Sequence, residues 1–213
     1  DVALANKETL IAAGSLVIPL AAANNARVLP VDSEHAGVWQ CLMSACGTNY
    51  APPEPAPADI ARVVLTASGG AFRGRTPESV AHATPQEALA HPTWDMGAKV
   101  TIDTATLVNK ALELIEAHWL FGLGADRLDA VEKLVRSDEH AAIRAGGDAG
   151  AVFNAANEVA VRAFLAGSIP FGRILDAVES VCDAHTTSPV RTIDDVLRAD
   201  AAARHAAEEH LGA

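Results

Sequence analysis

The stretch Arg27–Cys46, RVLPVDSEHAGVWQCLMSAC, changes its periodicity halfway. Arg27 to Val31 is a short apolar run that reads as a strand, and Ala36 to Cys46 shows helical spacing. A strand that feeds directly into a helix points to an α/β fold. Between the two lies Pro30–His35, PVDSEH, with carboxylates either side of a serine and a histidine next. A solvated turn uses Asp, Ser and Glu as readily, so the hexapeptide alone leaves two readings open. In extended backbone Asp32 and Glu34 project to one side, where one divalent ion takes both; Mg²⁺ and Mn²⁺ favour such oxygen ligands.

Working outward, Val2 and Leu4 alternate as a strand, and Asn6 is placed to cap a helix from Thr9 to about Ala23, which Pro19 should kink or divide. GTNYAPPEPAPAD, 47–59, reads as an exposed connection. ARVVLTASGG, 61–70, is a buried strand running into two glycines, and a long polar stretch follows from Ala71 to Met96. KVTID, 99–103, reads as another strand, and Thr104 as the start of the clearest helix. Val108, Leu112, Ile115 and Trp119 give that helix an apolar stripe, with Asn109, Glu113 and Glu116 on the opposite side. Beyond about Ala141 the chain is Ala-rich, with helices expected at Asn154–Leu165, Phe171–Ala184 and Asp194–Leu211 and a structural role for this last third.

With 213 residues, half of them apolar, the chain can bury a substantial core. Its net charge of −11 argues against a nucleic-acid partner, which requires clustered Lys and Arg. Lys7, Lys99, Lys110 and Lys133 are the only lysines, so each merits attention. Cys41, Cys46 and Cys182 lack zinc-like spacing and read as reduced thiols of a cytoplasmic protein. No apolar run reaches the length of a membrane span, and the opening DVALANKETL, with no initial Met, reads as a truncated beginning.

Several clusters bear chemistry. Asn109, Lys110 and Glu113 form a polar patch that supplies a third carboxylate or, equally, an ordinary surface ion pair. Thr104 at a helix start offers a hydroxyl and backbone N–H groups suited to phosphate. Ser68 before Gly69 and Gly70 lets backbone approach a ligand or simply makes a tight turn. HPTWDMG, 91–97, sets His91, Trp94 and Met96 together as a lid would.

Taken in order, LANKETL, LPVDSEH, LTASGGAFR, HPTWDMG, TLVNKALELIEA and VFNAANEVAVRAFL resemble the 1-deoxy-D-xylulose 5-phosphate reductoisomerase family of the non-mevalonate isoprenoid route. The resemblance implies an NADPH-dependent oxidoreductase that rearranges and then reduces a phosphorylated sugar. It implies Asp32, Glu34 and Glu113 as ligands of Mg²⁺ or Mn²⁺, with Lys7, Glu34 and His91 in catalysis. Lys7, Ser33, Ser68, His91, Trp94, Thr104, Asn109, Lys110 and Glu113 would line the substrate site, and Asn6, Glu8, Met96 and Gly97 would meet the cofactor. Three parts are implied: the end of a Rossmann-type NADPH-binding domain (1–29), a catalytic and metal-binding domain (30–136) with a flap (68–97), and a C-terminal helical domain (137–213). A homodimer is implied as well.

The sequence departs from the family pattern in places. No Gly-rich phosphate turn of a Rossmann domain occurs, and a block opening with His-Pro-Gln-Ser is missing near Arg127–Ala142. Asp95, Thr104, Ala111 and Ala71 stand where the family has serine, serine, glycine and proline. Asp95 adds negative charge beside anionic ligands, which costs binding at short range.

Overall fold

The computed structural model describes residues 1–130 and 139–212. The boundary expected at Arg136 lies outside them. Strand β1 (Val2–Leu4) leads through helix α1 (Glu8–Ala23) to β2 (Val28–Pro30), and the two strands pair in parallel with Val2 opposite Val28. Parallel neighbours require such a crossover, so the opening of the chain is one βαβ unit. Asn6 caps α1 as expected, its Oδ1 accepting from the Thr9 N–H at 3.0 Å. The helix runs through Pro19, and its irregular residue is Ala13 (φ −134°). Next to it, Gly14 lies under the Trp119 ring.

Helix α2 (Ser33–Cys46) begins three residues earlier than its apolar spacing indicates. Asp32 is its N-cap, accepting from the Glu34 N–H at 3.2 Å. Asp32 and Glu34 are therefore cap and first-turn residues, which corrects the extended-backbone reading. The Pro-rich connection is also less exposed than expected. Tyr50 and Ala56 are buried, the Trp39 indole donates to the Tyr50 carbonyl, and Val28 N–H donates to Pro52.

Strand β3 (Val63–Leu65) pairs in parallel with β4 (Leu128–Ala130). Between them the polar stretch forms only two short helices, α3 (Pro77–Val80) and α4 (Pro85–Ala88), capped by Thr76 and Thr84. The segment expected as strand KVTID is instead part of helix α5 (Ala98–Thr106). Its β-branched residues favour a strand, but tertiary packing overrides that preference. Ile102 is fully buried, Lys99 pairs with Asp103 one turn on, and the Thr101, Thr104 and Thr106 hydroxyls each turn back to a carbonyl four residues earlier.

Leu107, at φ +64°, breaks the rod, and α6 (Val108–Phe121) follows. Helix α6 is buried on nearly every side: Leu112 and Ile115 lie on one face, Glu113 and Glu116 on the other. After a 3-10 turn at 125–127 and β4 come α7 (Glu139–Ala145), α8 (Ala149–Leu165), α9 (Arg173–Ala184) and α10 (Ile193–Leu211). Helix α8 packs on α9, α10 and α1, with Gly150 where a Cβ would strike the Ile11 carbonyl. One apolar core thus runs from α1 and α6 into the C-terminal helices. No helix among the described residues is long and apolar enough to cross a membrane.

Candidate metal and substrate site

Two chain segments almost eighty residues apart meet at the start of α2 and the first turns of α6. The Asn6 cap starts α1 so that Lys7 points into the same place. Oxygens of Asp32, Glu34 and Glu113 all lie within 4.8 Å of one another. Lys7 Nζ stands 2.6 Å from Asp32 Oδ2 and 3.3 Å from Glu113 Oε1, and donates to Asn109 Oδ1 at 3.0 Å. Asn109 donates in turn to Glu113 Oε1 at 2.6 Å. Lys110, also buried, pairs with Glu113 and lies 3.3 Å from Glu34 Oε1. Ser33, exposed at the rim, donates to Glu34 Oε2 at 2.6 Å.

Burial opposes charge on Lys7, yet Glu113 and Asp32 outweigh it and raise its pKa above the ordinary lysine value. Burial likewise opposes the Asp32 anion, but His35 and Lys7 hold its carboxyl well below the usual range. Three hard oxygen donors with ammonium groups beside them suit Mg²⁺ or Mn²⁺ rather than a thiophilic metal. The sequence also underrated two residues. His35 and Glu116 are 0 % and 1 % exposed and adjoin the cluster. Burial pushes the Glu116 carboxyl up to about 7. Only the DSEH spacing hinted at His35, and helical spacing placed Glu116 on a polar face that tertiary packing then covered.

A second cluster joins Ser68 and His91. The N–H groups of Thr93 and Trp94 both donate to His91 Nδ1, at 3.1 and 2.9 Å. Nε2 therefore carries the proton, and it donates to Ser68 Oγ at 3.3 Å. Gly70 lies on the Thr104–Ala105 backbone, so the SGG turn rests against the end of α5. The placement of Thr104 is corrected: it sits late in α5 rather than at a helix start, and its hydroxyl donates to the Val100 carbonyl at 2.7 Å. Trp94 is 61 % exposed on the flap, with Asp95 exposed beside it. Met96 and Gly97 lead into α5, where Lys99 reaches Glu8 at 3.4 Å and so ties that segment to the start of α1.

The C-terminal domain of 1-deoxy-D-xylulose 5-phosphate reductoisomerase matches residues 28–121, and the DXP reductoisomerase C-terminal domain matches 136–206. The 1-deoxy-D-xylulose 5-phosphate reductoisomerases of Symbiobacterium thermophilum and Pseudarthrobacter chlorophenolicus are each 40 % identical over 273 residues, covering 98 % of this chain and 67 % and 66 % of their own lengths. The chain thus spans about two thirds of these relatives. Alignments of 273 residues are longer than the 213-residue chain itself, so at least sixty residues of the relatives have no counterpart here. Among solved structures, the enzyme from Zymomonas mobilis in complex with NADPH superposes with a TM-score of 0.79 at 28 % identity over 98 % of this chain and 68 % of that one. A DOX-P reductoisomerase in complex with NADPH, fosmidomycin and magnesium gives 0.78 at 27 % identity, over 98 % and 69 %. With both its sequence and its α/β architecture matched along almost its whole length, the chain belongs to the 1-deoxy-D-xylulose 5-phosphate reductoisomerase family.

Proposed function

We propose that this chain carries the metal- and substrate-binding part of a 1-deoxy-D-xylulose 5-phosphate reductoisomerase, which rearranges its substrate and reduces the product with NADPH to 2-C-methyl-D-erythritol 4-phosphate. One observation supports this above the rest: oxygens of Asp32, Glu34 and Glu113 meet beside Lys7. These carboxylates hold Mg²⁺ or Mn²⁺, which when bound serves as a Lewis acid toward the substrate ketone and its neighbouring hydroxyl oxygen. Lys7 places positive charge where negative charge develops on substrate oxygen, and Glu34 is positioned to exchange a proton with a substrate hydroxyl. Lys110 and Asn109 add cationic and amide donors at the site of a chain whose net charge is −11.

Ser68 and His91 bind the substrate phosphate, because the fixed tautomer of His91 keeps an N–H donor on Nε2. Ser33 faces substrate from the rim. Trp94, on the flap, covers the bound molecule and excludes water from the reactive aldehyde. Asn6, Glu8, Met96 and Gly97 face NADPH, an arrangement supported by the Lys99–Glu8 link between their two segments. In this reading residues 1–29 close the cofactor domain, 30–136 form the catalytic domain and 137–213 the helical one. The protein works in the cytoplasm as a homodimer, without nucleic-acid or membrane partners; sedimentation at low concentration tests the dimer.

The test follows Mn²⁺ uptake by the chain and then metal-dependent binding of 1-deoxy-D-xylulose 5-phosphate. Both are expected, and Glu113→Gln should weaken the metal-dependent binding by at least about 10-fold, in line with losing a group that holds the ion. A folded chain that binds neither Mn²⁺ nor the phosphorylated sugar refutes the reading, and NADPH oxidation is expected where this part works together with a complete NADPH-binding domain.

A further inference from the structure

Helix α5 is the platform on which the flap side of the site stands. It starts directly after Met96 and Gly97, and its end carries the SGG turn. A Cβ on Gly70 would lie 2.6 Å from the Thr104 carbonyl oxygen, so no side chain fits between turn and helix. Ser68, two residues before Gly70, is placed by where α5 lies, and so is its hydrogen-bond partner His91.

The back of α5 faces the helical last third of the chain. Asp103 there is 1 % exposed, and Asn157 on α8 is fully buried. Asn157 Nδ2 donates to Asp103 Oδ1 at 2.8 Å, and Lys99 Nζ donates to Asp103 Oδ2 at 2.8 Å and to Glu8 Oε1, at the start of α1, at 3.4 Å. A carboxylate only accepts, so the amide turns its Nδ2 towards Asp103. That orientation leaves Asn157 Oδ1 buried without a hydrogen-bond partner. An unmatched buried oxygen costs free energy, and a well-packed apolar pair in place of Asn157 and Asp103 would avoid it. The bond between them therefore serves something other than stability.

We propose that Asn157 is a positioning residue for the phosphate side of the site: through Asp103 it fixes the lie of α5, and with it Ser68, His91 and the exit of the flap. The inference rests on the reading of Ser68 and His91 as the phosphate-binding pair. A helix expected from sequence to be structural alone thus reaches the substrate without touching it. The metal-binding carboxylates stand elsewhere, at the start of α2 and on α6 beyond the Leu107 bend, so the two sides are separable by experiment.

Calorimetric titration of the native chain with Mn²⁺, and then with 1-deoxy-D-xylulose 5-phosphate in saturating Mn²⁺, tests this. Asn157→Leu keeps the branching of the side chain and removes the donor. It should leave Mn²⁺ affinity within about 2-fold of native and weaken sugar phosphate binding by about 5-fold or more, the scale of coupling between linked sites. Asn157→Asp sets a second carboxylate against Asp103 and should lose at least as much. Adding Asp103→Asn to that variant exchanges the two groups. The amide at position 103 then donates to the carboxylate at 157 while its oxygen accepts from Lys99, and most of the affinity should return. Thr192→Ala, at the cap of α10, controls for general loosening and should lower thermal stability while moving neither affinity.

Native sugar phosphate affinity in Asn157→Leu, parallel losses of Mn²⁺ and sugar phosphate binding, or no recovery in the exchanged pair would each overturn the proposal. A native chain that takes up Mn²⁺ but no sugar phosphate overturns the phosphate reading together with this inference, whereas tight native binding unmoved by Asn157→Leu overturns the inference alone.

Discussion

Gly14→Ala probes the contact that sets α1 against α6. A Cβ on Gly14 would lie 2.4 Å from Cγ and Cδ2 of Trp119 and 2.5 Å from Cδ1. Carbon atoms settle at about 3.5 Å or more, so the ring or the helix must give way by about 1 Å. Overpacking of that kind costs about 1–3 kcal/mol. Replacing glycine inside a helix returns about 0.5–1 kcal/mol, leaving a net loss of about 1 kcal/mol, towards the lower end because Trp119 is only partly buried and can swing outward. The displacement also bears on the site. Lys7 begins α1 two turns before Gly14, and its 3.3 Å approach to Glu113 on α6 depends on the same spacing. Urea unfolding should show a lower midpoint at unchanged slope. In a Trp119→Ala background the same glycine change should stabilise instead. If Gly14→Ala raises stability in the native background by the ordinary helical increment, the indole does not limit the helix spacing and the reasoning fails.

Three further outcomes are expected. Asp103→Ala strands Lys99 and Asn157, which lie 2.8 Å from its two oxygens, and should cost about 2 kcal/mol by thermal or chemical denaturation; Lys99 keeps 29 % exposure, which holds the loss below that of a fully buried pair. Thr192→Ala removes the capping box of α10 and should cost about 1 kcal/mol, read from the same curves. Backbone and hydroxyl donors of Arg191 and Thr192 hold Asp195 down at about 2, from an ordinary 3.8. Its contribution is therefore complete above pH 4 and is lost as pH falls through about 2, so acid unfolding of Asp195→Asn should lack that component in circular dichroism.

The strand-to-helix switch at Arg27–Cys46 was legible because turn residues and spacing agree there, and the C-terminal helices because their apolar periodicity is regular. Helix α8 nonetheless starts at Ala149, before the expected Asn154, since Gly150 packs on α1, Ala151 is buried, and small residues give no periodic signal. KVTID misled because alternating Val100 and Ile102 imitate a strand, while the hydroxyl and ion-pair contacts that favour a helix are visible only after folding. The convergence of Asp32, Glu34 and Glu113 came from resemblance; spacing left it open. His35 and Glu116 stayed hidden because burial of a charged residue depends on what covers it, and here that covering comes from residues distant in sequence.

Leu107 has one more effect. A leucine at φ +64° is held in a conformation that costs it about 1 kcal/mol or more, so the bend does not slide along the chain. The two rods on either side therefore keep independent phase. Loss of one residue within α5 would turn Lys99 and Asp103 by about 100° relative to the bend. Asn109, Lys110, Glu113 and Glu116 would keep their bearing. The flap side and the metal side of the protein can thus change length separately over evolution, with one hinge-like leucine as the fixed point between them.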